Sequence, residues 1–141
     1  MINRSGTAHY EGLGKAGKGR LNTQSGVLTE ARYDFGARFE NEPGTNPEEL
    51  IAAAHAGCFT MALSFALAGT GRTDGTLDTK AVVTLVQDGD GFTITKSALT
   101  LVASIPGIEQ AEFDEIVAGA KVNCPVSKLL KCEITLDATL Q

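Results

Sequence analysis

The segment from Thr45 to Gly71 constrains this chain more than any other. Thr45-Asn46-Pro47-Glu48-Glu49 reads as a helix start. Asn46 caps, Pro47 takes the first helical position where no hydrogen bond is lost, and Glu49 completes an N-x-x-E capping box. Glu48 and Glu49 also put negative charge in the first turn, where the helix dipole favours it. The run LIAAAHAGCFTMALSFALAG that follows stops at Gly69 or Gly71 and is apolar nearly all round. It predicts a long central helix buried on most of its surface. His55, Thr60 and Ser64 interrupt Ile51 to Ala68, and the run is rich in Ala, which favours a core helix over a membrane span. With no Trp, 6 Phe and 2 Tyr, the core is expected to be built from Ala, Val, Leu and Ile.

On either side of this helix the pattern is that of strands. Three are expected upstream: one around Tyr10, one from Arg20 to Val27 and one from Tyr33 to Phe39, with Gly12, Gly14, Gly17 and Gly19 turning between the first two. Downstream, Leu77 to Val86 and Phe92 to Ser104 flank Asp88-Gly89-Asp90-Gly91, a β-hairpin by its turn chemistry. Ile108, Phe113, Ile116, Val117 and Ala120 then recur at helical spacing up to Val122. Asn123-Cys124-Pro125 interrupts that helix, a short one restarts from Pro125 to Leu130, and Cys132 to Leu140 alternates as a final strand. The order is βββ-α-ββ-α-α-β, an α+β fold, and residues 1–141 are expected to form a single domain.

Charge and cysteine usage narrow the function. A formal net charge of −5 disfavours nucleic acid or an anionic membrane as partner, since both need clustered Lys and Arg. Met1 to Ala8 carries no apolar stretch of the secretory kind, so a cytoplasmic protein is expected. An odd count of 3 Cys, widely spaced, argues for thiol chemistry or plain burial over a disulfide framework. No C-x-x-C pair is present to suggest a zinc site.

Cys58 lies mid-helix, with Ile51, Ala54, His55, Met61, Ala62 and Phe65 on its face. Taken alone it reads as a core cysteine. Cys124 stands immediately before Pro125, at or beside the N-cap of the short helix, where unpaired N–H groups stabilise a thiolate. One thiol in a packed helix and one at a helix start form a plausible attack-and-resolve pair. An unperturbed thiol, of pKa about 8.5, is only a few per cent thiolate at neutral pH, so Cys58 needs a nearby cation. Arg38, Lys121, Lys128 and His55 are the candidates. Arg38 is preferred, because it lies between Phe35 and Phe39 near the loop into the helix. Cys132 reads as a bystander, and His55 as a hydrogen-bonded histidine in or near an interface.

RFENEPGTNPEELIAAAHAGCFTMAL, with NCPVSKLLK far downstream, resembles the OsmC family of osmotically inducible peroxidases, related to the organic hydroperoxide resistance proteins. The likeness spans the chain and includes SGVL, the PGI segment at Pro106 and the closing EITLDATL. It implies an intertwined α+β dimer, with two long central helices wrapped by sheets, that serves in oxidative and osmotic stress defence. By motif position it implies Cys58 as peroxidatic thiol, Cys124 as resolving thiol and Arg38 and Glu48 as activating groups. It further implies an organic hydroperoxide as substrate, a dithiol reductant of dihydrolipoyl type and no cofactor. Glu48 precedes Cys58 by ten residues, about 15 Å of helical rise, too far to touch the thiol from its own helix. Either Glu48 acts across a dimer interface or it positions Arg38, and both options point to a homodimer. A redox sensor on the same fold is the alternative. A metal protein using Cys58, Cys124, Cys132 and His55, or a structural dimer, would be of another class.

Overall fold

The computed structural model describes residues 1–141. It divides into two compact units, Met1–Leu50 and Ile51–Gln141, and the boundary falls inside the longest helix.

In the first unit, β1 (Gly6–Glu11), β2 (Lys18–Thr23) and β3 (Ala31–Tyr33) form an antiparallel sheet in that order. A short 3-10 turn at Gly14–Ala16 joins β1 to β2. Gly19 is required at its place in β2, because an added Cβ would run into the backbone oxygen and ring of Tyr33. The third strand is shorter than the sequence suggested. Only Ala31–Tyr33 pairs in the sheet, and Phe35–Phe39 is a helix, α1. The reason is Asp34, whose side chain accepts a hydrogen bond from the Ala37 N–H and so caps a new helix where a strand was expected. Arg38 therefore sits in the last turn of a helix.

The helix α2 (Pro47–Ala68) starts as expected. Asn46 Oδ1 accepts from the Glu49 N–H at 2.8 Å, while the Glu49 carboxylate takes the Thr45 hydroxyl at 2.7 Å, so the reciprocal half of the capping box is shifted by one residue.

The second unit is a three-stranded sheet with helices packed on it. β4 (Thr76–Asp88) and β5 (Gly91–Ser104) form an antiparallel hairpin, and β6 (Glu133–Leu140) lies parallel to β5. Gly89, at φ 61°, takes the first position of the two-residue turn, the place where a II′ hairpin needs glycine. Parallel pairing of β5 and β6 requires a long crossover, which α3 (Gln110–Asn123) and α4 (Pro125–Leu129) supply. The core packs Phe59, Leu63 and Leu67 of α2 against Leu99, Leu101 and Ala103 of β5 and Phe113, Val117 and Ala120 of α3.

The burial of α2 differs from expectation. His55, Phe59, Leu63 and Leu67, four residues apart, form its only buried stripe, and Met61 and Phe65 on another face are 64% and 72% exposed. The small-residue sequence around it provides one wall of cover within the chain, not cover on most sides. By length and composition α2 is apolar enough to cross a membrane.

Candidate active site

Arg38 and Glu48 meet within the first unit. Asp34 starts α1, α1 carries Arg38 in its last turn, and Pro47 starts α2 so that Glu48 stands in its first turn. The guanidinium binds the carboxylate through two hydrogen bonds, Nε to Oε2 at 3.1 Å and Nη2 to Oε1 at 2.5 Å. This two-pronged geometry fixes the plane of the guanidinium. Phe39 supports it from one side, its ring centroid 5.2 Å from the Arg38 guanidinium carbon. The Glu48 side chain is only 12% exposed and that of Arg38 35%, so one edge of the cation is free of cover. Tyr10, Tyr33, Phe35 and Phe39 line, with Arg38, a cavity of about 410 Å³. Beneath it Arg32 ties Asp34 to Glu42, at 2.8 and 2.6 Å. The Arg32 hydrogen bond and the Ala37 N–H hold the Asp34 carboxyl at about 2.

Cys58 and Cys124 meet within the second unit. All three cysteines are free thiols. Cys58 is half-buried at the flank of the α2 stripe, and Cys124 is fully buried at the N-cap of α4. The two thiols share a hydrogen bond. Burial and this neighbour push the Cys58 thiol up, against a pull from the Val126 N–H. Burial works against ionising Cys124 as well, but there the bond from Cys58, the N–H and hydroxyl of Ser127 and the Val126 N–H outweigh it and bring the thiol down. The second unit by itself thus favours a thiolate on Cys124. Accessibility differs in the opposite sense: Cys58 is partly exposed and Cys124 is fully buried.

His55 does not sit at a surface. It is fully buried, its Nδ1 2.6 Å from Ser97 Oγ and its Nε2 2.8 Å from Ser127 Oγ. Burial pushes its pKa down, so it is a neutral imidazole and supplies no cation to Cys58. Both ring nitrogens are engaged by hydroxyls, and no group of three or more His, Cys, Asp or Glu is arranged to hold a metal. Cys132 lies just before β6, half-buried.

Ser97 and Ser127 were not singled out from the sequence. Ser97 was legible in principle, as the one polar member of the alternating inward set Ser97, Leu99, Leu101 and Ala103 on β5.

A helix thiol beside a buried thiol at a Cys-Pro step, with an arginine held by a glutamate, is an arrangement that can be compared with known proteins. Residues 39–139 match the family described as OsmC-like protein. The chain belongs to the OsmC family. It is 53% identical to the peroxiredoxin OsmC of Escherichia coli strain K12 over 140 residues, 99% of this chain and 98% of that protein. It is 30% identical to the organic hydroperoxide resistance protein OhrB of Bacillus subtilis strain 168 over 125 residues, 87% of this chain and 89% of that one. The crystal structure of the Bacillus subtilis OhrB superimposes with a TM-score of 0.69 at 27% identity, covering 99% of this chain and 98% of that chain. The OsmC fold therefore accounts for the whole length, including the first 38 residues that lie outside the family match.

Proposed function

We propose that this OsmC-family chain is a cysteine peroxidase that reduces organic hydroperoxides to alcohols. The observation that carries the reading is the contact between one accessible and one buried thiol, Cys58 and Cys124, in a chain 53% identical to a peroxiredoxin. The Cys58 thiolate attacks the terminal peroxide oxygen, the O–O bond breaks, and the alkoxide leaves with a proton as the alcohol. Cys58 is left as sulfenic acid, and Cys124 converts it to an intrachain disulfide with loss of water. A dithiol of dihydrolipoyl type then exchanges with that disulfide.

Arg38 is assigned to lowering the Cys58 thiol and to stabilising charge on the departing oxygen. Glu48 is assigned to orienting Arg38, which its double hydrogen bond supports. The aromatic cavity beside Arg38 suits the apolar substituent of an organic hydroperoxide.

The working form is read as a homodimer of single-domain protomers in the cytoplasm, without a nucleic-acid or membrane partner. Two features support a partner copy. Met61 and Phe65 leave an apolar face of α2 open. The groups that set the Cys58 thiol, namely burial, Cys124 and the Val126 N–H, also include no cation that would shift the charge onto it.

Steady-state consumption of cumene hydroperoxide with a dithiol, abolished by Cys58→Ser, tests the function. A wild-type protein that forms its disulfide once and consumes no further peroxide in excess dithiol would make the chain a redox sensor instead.

A further inference from the structure

The proposed chemistry makes opposite demands on one proton. For Cys58 to attack as thiolate, the proton of the thiol pair must sit on Cys124. For Cys124 to resolve the sulfenic acid, that same proton must leave. Cys124 is 0% exposed, so bulk water is not at hand to take it.

The structure places an acceptor there. The Ser127 hydroxyl faces the Cys124 sulfur and lies 2.8 Å from His55 Nε2, while His55 Nδ1 lies 2.6 Å from Ser97 Oγ. His55 and Ser97 are both 0% exposed and Ser127 is 9% exposed. The order along this path is Ser97, His55, Ser127, Cys124, Cys58. Its regularity has a simple origin. His55 and Cys58 are three residues apart on α2 and share a face, while Cys124 caps α4 and Ser127 follows three residues later in its first turn. The two pairs oppose each other, thiol to thiol and imidazole to hydroxyl. A buried imidazole is a costly way to fill a core built mainly of Phe, Leu, Ile, Val and Ala, and it is tolerated only with both nitrogens satisfied. Here both are.

We propose that Ser97, His55 and Ser127 form a buried proton relay that serves the resolving step. Ser127 touches the reacting sulfur, and His55 is a positioning residue that acts through it. Cys124 gives its thiol proton to Ser127 Oγ as the hydroxyl's own proton passes to His55 Nε2. Ser97 accepts from His55 Nδ1–H throughout and fixes the tautomer that leaves Nε2 open. The electron pair on Cys124 forms the S–S bond to Cys58, and the Cys58 S–O bond breaks. The hydroxide leaves as water with the proton that His55 returns through Ser127. Cys124 is oxidised, the sulfenic sulfur is reduced, and no further reagent is needed.

This inference rests on the peroxidase reading, and one experiment separates the two. The full-length protein, prereduced, is mixed with one equivalent of cumene hydroperoxide and quenched at intervals. Peroxide loss reports attack by Cys58, and mass analysis of sulfenic acid, as its dimedone adduct, against disulfide reports resolution. His55→Gln keeps an amide near Ser127 but cannot take up a proton, Ser127→Ala removes the hydroxyl, and Ser127→Thr restores it. Expected is a fall of about tenfold or more in resolution for His55→Gln and Ser127→Ala, the scale of a lost proton-transfer group. Resolution should fall by a larger factor than peroxide loss does in the same variants, and Ser127→Thr should recover resolution. Should His55→Gln not fold, the two Ser127 variants decide by themselves. Resolution at the wild-type rate in Ser127→Ala, or attack and resolution slowed equally, overturns the relay while leaving the peroxidase intact. Absence of peroxide loss in the wild type overturns both.

Discussion

Arg38 and Glu48 bind each other through two hydrogen bonds inside one protomer, Nε to Oε2 at 3.1 Å and Nη2 to Oε1 at 2.5 Å. The carboxylate is thereby engaged in holding the guanidinium, which supports the reading of Glu48 as a positioning group for Arg38. Glu48→Gln should reduce the rate of Cys58 oxidation by about tenfold or more, because a neutral amide loses one charge-assisted bond and the fixed plane. Arg38→Lys should be as damaging, since a point charge cannot make the paired contact. Rapid-quench measurement of peroxide loss checks both: a wild-type rate in Glu48→Gln would remove the orienting role of Glu48, and one in Arg38→Lys would remove the paired contact from the account of Arg38.

The two thiols should fail in different ways. Cys58→Ser should consume no peroxide at all. Cys124→Ser should still reduce one equivalent and then stop, with a dimedone-reactive sulfenic acid accumulating on Cys58. Whole-protein mass spectrometry after one equivalent of hydroperoxide distinguishes these outcomes.

Acid should loosen the first unit before the core. Asp34 is held at about 2 by Arg32 and the Ala37 N–H, from an ordinary value of 3.8. Its folded-state pKa lies below its unfolded one, so its stabilisation is complete above about 4 and is lost as pH falls through about 2. Thermal midpoints measured from pH 5 to pH 2 should fall in the wild type and fall less steeply in Asp34→Asn. At neutral pH, Asp34→Ala should cost about 1 kcal/mol through the lost helix cap. It should also lower the rate of Cys58 oxidation, because α1 carries Arg38.

Oligomeric state should respond to the open face of α2. Met61→Glu and Phe65→Glu put charge at apolar residues that are 64% and 72% exposed, and light scattering should show monomer in each. The fully buried Phe59 is the control: Phe59→Ala should cost about 3–5 kcal/mol of stability by emptying the space between α2 and the sheet.

How much of this was legible in the sequence follows from how local each signal is. The start of α2 was legible because Asn46, Pro47 and Glu49 act within one turn. The β4–β5 hairpin was legible because Gly89 fixes its turn. The third upstream strand was misread over Phe35–Phe39, where two phenylalanines carry β-propensity but a single capping carboxylate at Asp34 starts a helix. Tertiary partners were beyond reach. Nothing near His55 in the sequence points to Ser97, 42 residues away, or to Ser127, 72 residues away. Nor does local pattern tell which of two cysteines carries the more acidic thiol. The four candidate site residues were put forward by motif resemblance. The structure contributes how they are grouped: Arg38 with Glu48, and Cys58 with Cys124.

The peroxidase reading makes Cys58 and Cys124 redox partners. Treating the reduced protein with one equivalent of an organic hydroperoxide, blocking the remaining thiols and mapping the peptides by mass tests it most directly. The expected product is a Cys58–Cys124 disulfide with Cys132 still free. A Cys58–Cys132 disulfide, or three unreacted thiols, would contradict it.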